Sequence, residues 1–351
     1  MTLAAFLRHL AFAGGMIALS ALVVRLMISL RVMDTPEARK AHIRPTPKGG
    51  GVGIVVAFLV GIAFLYRFAE FARVGDPYFL GVIEAASAIA IVSLLDDVYD
   101  WPFTIKLATQ VAAALVAVGS GLYVADFRVP FVELPPSAAI GIPATLIWLL
   151  FVTNAMNFID GLNGLASGVS LIAALFLAYI AFSHGGAFGY AASSLLAAGL
   201  LGFLPFNFPR ARIFMGDVGS QFCGFVLAVL AVVASRFEGV ELSFLLMPML
   251  LSGVLFDVGF TLIRRKLAGE NLTKPHRGHL YQVAHRSGVS PVAISLLHWG
   301  FAVLGGLVCL IFIAAPSAWK WLVPSTLILP QLIWLHWVSQ RARAAGLGRW
   351  G

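Results

Sequence analysis

Charged side chains are scarce in this chain of 351 residues: Asp, Glu, Lys and Arg together make up 11% of it, whereas hydrophobic residues make up 60%. A water-soluble globular protein carries roughly 25% charged residues, so this composition excludes an ordinary soluble domain. Apolar runs of about 20 residues, the length that crosses a bilayer, recur along the sequence. The composition therefore predicts an all-α polytopic integral membrane protein, with a single transmembrane domain over residues 1–351.

Cysteine is also scarce, and its placement excludes further classes. The two cysteines, Cys223 and Cys309, each lie inside an apolar run, where they form neither a disulfide framework nor a paired zinc-ligand spacing. We interpret both as packing residues. The net charge of +8 is not accompanied by a basic stretch interleaved with aromatic residues, so nucleic acid is not predicted as a partner. On a membrane protein a basic excess is typical of cytoplasmic loops that face anionic lipid.

The apolar runs give about eleven predicted spans, with ten as an alternative count. Most Lys and Arg residues fall in one alternating set of loops, which the positive-inside bias places in the cytoplasm. The N-terminus is then predicted to be periplasmic and the C-terminus cytoplasmic. The predicted spans are residues 5–30, 49–67, 78–96, 105–124, 138–155, 165–183, 187–205, 219–236, 243–263, 291–314 and 318–339.

Four clusters of acidic, amide, glycine or histidine residues lie beside these spans, all on the predicted cytoplasmic side. They occupy residues 96–100, 154–164, 215–220 and 275–279. If they converge, they form one site that binds a metal and phosphates at the lipid boundary. Together with a basic loop they define the predicted site loops, which are residues 31–48, 96–105, 154–164, 206–218 and 264–290.

The first cluster contains Asp96, Asp97 and Asp100, where the third span should leave the membrane, and Pro102 then stops the helix. Asp96 and Asp100 are four residues apart, so we expect them to share a helical face while Asp97 points elsewhere. A solvated helix end is the alternative interpretation. Three like charges within five residues repel one another unless a cation or a cationic substrate compensates them, which favours a functional role.

In the second cluster Asn154, Asn157, Asp160 and Asn163 recur every three residues. Amides can donate to phosphate or sugar oxygens and accept from a uracil edge, and a carboxylate can bind a metal or a ribose hydroxyl. The alternative is a polar seam between membrane helices, because Asn also joins such helices. The spacing alone leaves both interpretations open.

The third cluster follows Asn207 and contains Gly216, Asp217 and Ser220. We expect Ser220 to cap the eighth span, whose N-terminus attracts anions. Asp217 would then be an oxygen ligand for a hard cation such as Mg²⁺, which prefers one or two carboxylates together with phosphate oxygens. An isolated pattern of this kind is a weak signal, so its value depends on whether it shares a face with the other carboxylates.

The fourth cluster places His276 and His279 on either side of Arg277. Imidazole and guanidinium groups together suit a diphosphate. Zinc is not predicted, since no Cys accompanies the two histidines. The preceding basic run at residues 264–266 is interpreted as a consequence of membrane topology.

The first predicted cytoplasmic loop carries Lys40, His42 and Lys48 between prolines and three successive glycines. These cations could clamp an anionic substrate, or they could anchor the loop to anionic lipid. Charge alone leaves both roles open.

Taken together, five motifs resemble those of the polyprenyl-phosphate N-acetylhexosamine-1-phosphate transferases, which are glycosyltransferase family 4-like membrane enzymes. Phospho-N-acetylmuramoyl-pentapeptide transferase is among their relatives. The likeness runs in order through residues 34–282. The motifs are D-x-P-x-x-R-K-x-H-x-x-P-x-P-x-G-G-G, D-D-x-x-D, N-x-x-N-x-x-D-G, F-N-x-P-x-x-x-I-F-M-G-D-x-G-S and H-R-x-H.

The resemblance implies transfer of a sugar 1-phosphate from a UDP-N-acetylhexosamine to undecaprenyl phosphate, with release of UMP. It further implies Mg²⁺ as the cofactor, with Mn²⁺ as an alternative, at the cytoplasmic face of the bacterial inner membrane. The implied partners are the nucleotide sugar, the lipid phosphate and membrane lipid. A homodimer is left open.

The resemblance also implies roles for individual residues. Asp217 matches the Mg²⁺ ligand, with Asp97 as a second candidate, and Asp96 and Asp97 match paired aspartates near the lipid phosphate. Asp160 matches a catalytic position and Asn157 a nucleotide-side position. The predicted substrate-binding residues are Lys40, His42, Lys48, Asn154, Asn157, Asn207, His276, Arg277 and His279.

The chain departs from the family pattern at two positions. Asn163 stands where the family usually has aspartate, and the histidine motif does not continue with further histidines, because Leu280, Tyr281 and Gln282 follow His279 directly. These departures resemble a branch that initiates O-antigen or related surface polysaccharide more than the peptidoglycan branch. The alternatives are a peptidoglycan-type transferase or, from another class, a lipid or ion transporter, whose carboxylates should lie near mid-bilayer.

Overall fold

The computed structural model describes residues 3–34, 45–69, 77–125, 127, 137–236, 242–272, 274 and 276–348. Their regular structure is almost entirely helical, as expected. One small addition is an antiparallel pair of strands, β1 (Met33–Asp34) and β2 (Thr46–Pro47), in which Met33 pairs with Pro47. This pair brings the two ends of the first loop together beside the start of the second helix.

Fourteen α-helices follow one another along the described residues. A short 3-10 helix at Ser317–Trp319 lies between the twelfth and the thirteenth. The helices are α1 (Leu3–Leu30), α2 (Gly51–Phe68), α3 (Pro77–Tyr99), α4 (Phe103–Gly119), α5 (Ala138–Ile159), α6 (Leu165–Ser183), α7 (Ala187–Asn207), α8 (Gly216–Arg236), α9 (Leu246–Leu250), α10 (Ser252–Leu267), α11 (Leu280–Arg286), α12 (Pro291–Ala314), α13 (Leu322–Ser325) and α14 (Ile328–Ala344).

Nine helical segments of the described chain are long and apolar enough to cross a membrane, which supports a multi-pass α-helical membrane protein. The predicted spans at 105–124 and 243–263 differ from this set. The first forms α4, which has 17 residues and ends before Gly121, where φ is +102°. The second is divided between α9 and α10 at Leu251. The total number of spans and their orientation stay predictions.

Helix α8 lies at the centre of the fold, and its most apolar 18-residue window is completely buried. It packs against α3 and α5 and also contacts α2. Small residues permit this close packing, because a Cβ on Gly224 would lie 2.9 Å from the Thr153 Cα of α5. Cys223 and Cys309 are buried free thiols, as expected of packing residues. The N-terminus of α8 therefore lies beside the ends of α3 and α5.

Candidate active site

The site begins where the N-terminus of α8 meets the end of α3. The backbone N–H groups of Asp217 and Val218 donate to the Oδ1 and Oδ2 atoms of Asp97, over 3.3 and 3.2 Å. Gly216 begins the helix with φ of +76°, and a Cβ there would lie 2.5 Å from Asp97 Oδ2. Glycine is thus required both by its backbone conformation and by the close approach of the carboxylate.

The expected cap at Ser220 is wrong. Helix α8 starts four residues earlier, at Gly216, so Ser220 lies within its first turns and donates to the Gly216 carbonyl over 3.2 Å. The first N–H groups of a helix lack partners inside the helix. Here two of them are satisfied by Asp97, a residue 120 positions earlier in the chain.

The Asp217 carboxylate is held by three side chains. Asn157 Nδ2 donates to Oδ1 over 2.9 Å, while Lys106 Nζ and Gln221 Nε2 donate to Oδ2 over 3.0 and 3.3 Å. Lys106 Nζ also lies 2.8 Å from Asp96 Oδ2. One ammonium group therefore bridges carboxylates from α3 and α8. The Asp217 side chain is still 28% exposed, so it remains accessible to a ligand.

We call Asp96, Asp97 and Asp217, together with Lys48 and Lys106, the acid cluster. Lys48 Nζ lies 3.8 Å from Asp97 Oδ1, so the predicted substrate residue Lys48 does reach the site. Asp96 Oδ1 is buried and has no hydrogen-bond partner among the described residues. Burying an acceptor without a donor costs free energy of folding. An unpartnered atom of this kind is expected where a bound ligand supplies the missing partner.

The acid cluster offers only oxygen donors to a metal. Among the described residues no group of three or more His, Cys, Asp or Glu side chains is arranged to hold an ion. Mg²⁺ does not require such a group, since it is commonly held by one or two carboxylates plus substrate phosphates and water. Asp217 and Asp97, with the unpartnered oxygen of Asp96 nearby, fit that chemistry.

Asp160 lies directly after α5, at the end that faces the acid cluster. Its burial, and then the negative charges of Asp217 and Asp97, raise the pKa of the Asp160 carboxyl well above its usual range. The structure thus brings Asp160 within electrostatic reach of both carboxylates. Its catalytic role stays a prediction.

Asn154 contacts the acid cluster only through intermediaries. Its Nδ2 atom donates to Gln110 Oε1 over 2.7 Å, and Gln110 Nε2 donates to Gln221 Oε1 over 2.9 Å. Gln221 in turn donates to Asp217. Asn154 therefore belongs to a chain of amides that connects α5, α4 and α8, as the alternative of a polar seam predicts.

We call residues 276–279 the histidine loop, and it lies beside the end of α5. The ring of His279 is 5.8 Å from that of Phe158 and 4.9 Å from that of His276, between ring centroids. Tyr281 Oη donates to the Phe158 carbonyl over 2.9 Å. Since Phe158 follows Asn157, these contacts bring the fourth cluster next to the second. The four clusters are thus neighbours in the fold, and their convergence on a single binding site stays a prediction.

Within the histidine loop, Gly278 N–H donates to His276 Nδ1 over 3.1 Å. Burial, followed by the charges of His279, Arg265 and Arg264, lowers the pKa of His276 to about 4. His276 is therefore neutral at pH 7. The Arg277 carbonyl accepts from Arg286 Nη1 over 3.1 Å. This bond fixes the backbone of Arg277, the residue that is predicted to bind the diphosphate.

The basic run at 264–266 does more than follow membrane topology. Arg265 is 3% exposed, and its Nε donates to Glu270 Oε2 over 2.7 Å. Its Nη2 donates to the Asn271 carbonyl over 2.7 Å. Interpreting the run as a topology signal was therefore incomplete, because Arg265 organises the chain that leads to the histidine loop.

Asp100 does not share a face with Asp96, so that expectation is wrong. Helix α3 ends at Tyr99, and Asp100 lies beyond it, exposed and with φ of +51°. Asp96 and Asp97 are instead the pair that is buried at the site, 5% and 7% exposed. The helix end rotates Asp100 away from both.

The described contacts leave the roles of three further predicted substrate residues untested. Lys40 and His42 lie outside the described residues. Asn207 is buried, and its side chain accepts from Gly164 N–H over 2.7 Å and donates to the Ile213 carbonyl over 3.0 Å. Its amide connects two loops, and substrate binding by Asn207 stays a prediction.

The sequence interpretation missed Lys106, Gln110, Gln221 and Asp257 as site residues. Asp257 accepts a contact of 3.0 Å from His279 Nδ1 and is completely buried. A signal was present for two of them, because an isolated Lys or Asp within an apolar span is costly and therefore usually functional. The glutamines carried no comparable signal.

Comparison with known proteins decides the family. The model of the family described as Glycosyl transferase family 4 matches residues 79–235. A probable undecaprenyl-phosphate N-acetylglucosaminyl 1-phosphate transferase of Bacillus subtilis (strain 168) is 32% identical over 271 residues, which are 77% of this chain and 74% of that protein. The chain belongs to glycosyl transferase family 4.

Two further relatives of this family 4 chain differ in their substrates. The decaprenyl-phosphate N-acetylglucosaminephosphotransferase of Mycobacterium tuberculosis (strain ATCC 25618 / H37Rv) is 34% identical over 294 residues, 75% of this chain and 72% of that protein. The phospho-N-acetylmuramoyl-pentapeptide-transferase of Acetivibrio thermocellus is 27% identical over 300 residues, 81% and 86% of the two chains. The predicted family and the predicted class of glycosyl-1-phosphate transferase are confirmed.

Proposed function

We propose that this chain transfers an N-acetylhexosamine 1-phosphate, first of all N-acetylglucosamine 1-phosphate, from its UDP-sugar to undecaprenyl phosphate. The observation that carries the proposal is the convergence of α3, α5 and α8 on Asp217, which Asn157 and Lys106 hold beside Asp97. Relatives at 32% and 34% identity are named for transfer of N-acetylglucosamine 1-phosphate to a polyprenyl phosphate. The relative from Acetivibrio thermocellus, at 27% identity, is named for transfer of phospho-N-acetylmuramoyl-pentapeptide. That group is therefore the second candidate substrate.

In the proposed reaction an oxygen of the lipid phosphate attacks the β-phosphorus of the UDP-sugar. The bond from that phosphorus to the bridging oxygen breaks, and UMP leaves with the electron pair. Both reactants are anions, so the site must reduce their repulsion. Lys48 and Lys106 supply two positive charges within the acid cluster.

Asp97 is the residue that we assign to the lipid phosphate. Both of its carboxylate oxygens accept backbone N–H groups of α8, which fixes its orientation. Asp97 would orient the attacking phosphate or take its remaining proton, although a phosphate is already largely ionised at neutral pH. Asp96 and Asp160 complete the proposed catalytic group.

We assign the cofactor to the same carboxylates. Asp217, with Asp97 as a second ligand, would hold Mg²⁺ or alternatively Mn²⁺, and the bound ion would supply Lewis-acid compensation of the diphosphate charge. Asn157 orients Asp217 for this role through its 2.9 Å hydrogen bond. His276, Arg277 and His279 would bind the diphosphate and the sugar.

We further propose that the site faces the cytoplasm at the bacterial inner membrane, and that the product starts O-antigen or a related surface polysaccharide. The concentration of basic residues in one set of loops supports the orientation. A transporter is disfavoured because the carboxylates lie at helix ends, where Asp96 and Asp97 are among the last residues of α3. A homodimer is retained as the proposed assembly.

The proposal is tested with purified enzyme in nanodiscs, supplied with undecaprenyl phosphate and a panel of UDP-sugars. We expect UMP release together with a lipid-linked diphosphate sugar from UDP-N-acetylglucosamine. Chelation should stop the reaction, and added Mg²⁺ or Mn²⁺ should restore it. Turnover of UDP-N-acetylmuramoyl-pentapeptide alone would establish the second candidate, and absence of UMP with every donor would overturn the transferase proposal.

A further inference from the structure

A second carboxylate site lies outside the acid cluster, between α10 and the start of α11. Asp257 is 0% exposed and accepts from three groups of the neighbouring segment. Its Oδ1 atom lies 3.0 Å from His279 Nδ1 and 3.0 Å from Leu280 N, and its Oδ2 atom lies 3.0 Å from Tyr281 N. Thr261 Oγ1, one turn along α10, is 3.4 Å from the same Oδ1. Both oxygens are therefore satisfied by fixed donors.

Capping of α11 does not account for all of these contacts. His279 is the N-cap residue of α11 and forms a capping box with Gln282. Gln282 Oε1 accepts from His279 N–H over 3.3 Å, and the Gln282 N–H faces the His279 side chain in return, without a side-chain cap hydrogen bond. The two backbone N–H groups that donate to Asp257 belong to Leu280 and Tyr281, the two residues after His279. The hydrogen bond to the imidazole ring is additional to this arrangement, so it requires a separate explanation.

The imidazole contact determines which nitrogen of His279 is available. A carboxylate accepts only, so His279 Nδ1 must carry a proton to make the 3.0 Å bond. This leaves Nε2 as the ring nitrogen that can engage a ligand. The ring itself is positioned between Phe158 of α5 and His276 of the histidine loop.

We infer that Asp257 is a positioning residue that acts through His279: it holds the ring with Nδ1 protonated, so that Nε2 is presented to the diphosphate of the nucleotide sugar. The identity of the ligand in this inference rests on the proposed function, whereas the contact between Asp257 and His279 does not. It assigns a role to a carboxylate that lies in an apolar helix and does not belong to the acid cluster. In metal sites, a carboxylate hydrogen-bonded to a histidine in this way orients the ring and fixes which nitrogen binds the metal.

The first test measures the ring directly, without any substrate. In protein with ¹⁵N-labelled histidine, the His279 signals are assigned by their disappearance in His279→Asn. We expect Nδ1 of His279 to be protonated in the wild-type enzyme, and this preference to be weakened in Asp257→Asn, whose single amide oxygen must serve the ring and two backbone N–H groups. A wild-type ring protonated only at Nε2 would overturn the inference, whatever the enzyme transfers.

The second test is a double-mutant cycle on kcat and KM for the UDP-sugar. His279→Asn is the matched partner, because the Asn amide can still donate to Asp257 while lacking any counterpart of Nε2. Asp257→Asn should lower kcat/KM by about 10- to 100-fold in the wild-type background, as loss of an outer-shell partner does. In the His279→Asn background it should lower kcat/KM by less than about threefold.

A purely structural role for Asp257 predicts a different result. Its effect on kcat/KM would then multiply with that of His279→Asn in the double variant, and that outcome would sink the inference. The thermal midpoint does not separate the two roles, because Asp257 accepts two backbone N–H groups of α11 in both. If the wild-type enzyme releases no UMP, the proposed function fails instead, and the ¹⁵N measurement still decides the geometry. Binding of UDP-N-acetylglucosamine to the same four proteins then replaces kcat/KM in the cycle.

Discussion

Asp217 of the acid cluster and Asp257 of α10, beside the histidine loop, are held in different ways. Asp217 is 28% exposed and is held by the side chains of Asn157, Lys106 and Gln221. The side chain of Asp257 is 1% exposed, and two of its donors are backbone N–H groups of α11. Side-chain donors can rotate away and leave a carboxylate to a ligand, whereas backbone donors hold it in place. A carboxylate oxygen that accepts one backbone N–H, as in Asp97, still has a second lone pair for a ligand. Asp217 is therefore suited to exchange its side-chain partners for a ligand, whereas Asp257 is suited to fix the position of His279.

Among the substitutions that test this difference, removing the charge of Asp217 should have the largest effect on the rate of UMP release. Asp217→Asn should reduce UMP release by about a thousandfold or more, because the proposed ion loses its main ligand while the protein keeps its fold. Initial rates and thermal unfolding measure the two quantities separately. Asp100→Asn is the control, since Asp100 is exposed and Asn tolerates its φ of +51°. Near-normal transfer by Asp217→Asn would contradict the metal assignment.

The two lysines of the acid cluster should differ in importance. Lys106 Nζ lies 2.8 Å from Asp96 and 3.0 Å from Asp217, whereas Lys48 Nζ lies 3.8 Å from Asp97. Losing Lys106 leaves two carboxylates without their shared cation, so Lys106→Gln should lower kcat/KM by about 100-fold and Lys48→Gln by about tenfold. Steady-state kinetics on both variants check this order, and the reverse order would show that Lys48 is the main compensating charge.

The two asparagines of α5 provide a smaller and more selective comparison. Asn157 donates directly to Asp217, while Asn154 reaches it only through Gln110 and Gln221. Asn157→Ala should therefore lower kcat/KM by about 10- to 100-fold and weaken the apparent affinity for Mg²⁺. Asn154→Ala should leave the metal titration nearly unchanged and mainly lower stability. Equal shifts of the metal titration in both variants would show that the amide chain acts as one unit.

The sequence was sufficient to predict that the clusters are neighbours in the fold, but not their internal contacts. Periodic apolar runs predict helices, and the basic loops predict a shared side for Asp97, Asn157 and Asp217. Lys106 was missed because its two partners lie on other helices, one of them 111 positions away. Asp257 was missed because its donors become neighbours only after α11 folds back onto α10.

Helix ends were the least predictable feature, and they change the function assigned to single residues. Helix α3 was expected to continue through a turn that would align Asp96 with Asp100, but it ends at Tyr99. Helix α8 was expected to begin near Ser220, but it begins at Gly216. In both cases a residue with positive φ marks the true boundary, Asp100 or Gly216, and its conformation depends on contacts that the sequence does not display.

The smallest effect is expected at Asn163, where the family usually has aspartate. Asn163 Nδ2 donates to the Pro209 carbonyl over 3.4 Å, a long bond, while its own carbonyl accepts from Ser295 Oγ over 2.9 Å. The better of these two contacts involves the backbone, so the side chain should matter little. Asn163→Asp should cost up to about 1 kcal/mol of unfolding free energy, because two acceptors would then face each other, and should change kcat/KM by less than about threefold.

Asn163→Ala is the matched variant, since it removes the donor without adding a charge. If Asn163→Asp raised kcat/KM about tenfold while Asn163→Ala did not, a carboxylate at this position would have to act on the substrate or the ion. The site would then extend from Asp160 past Gly161 toward the loop that contains Pro209. Similar small effects in both variants would instead limit the functional carboxylates of this segment to Asp160, whose position after α5 already brings it within reach of Asp217 and Asp97.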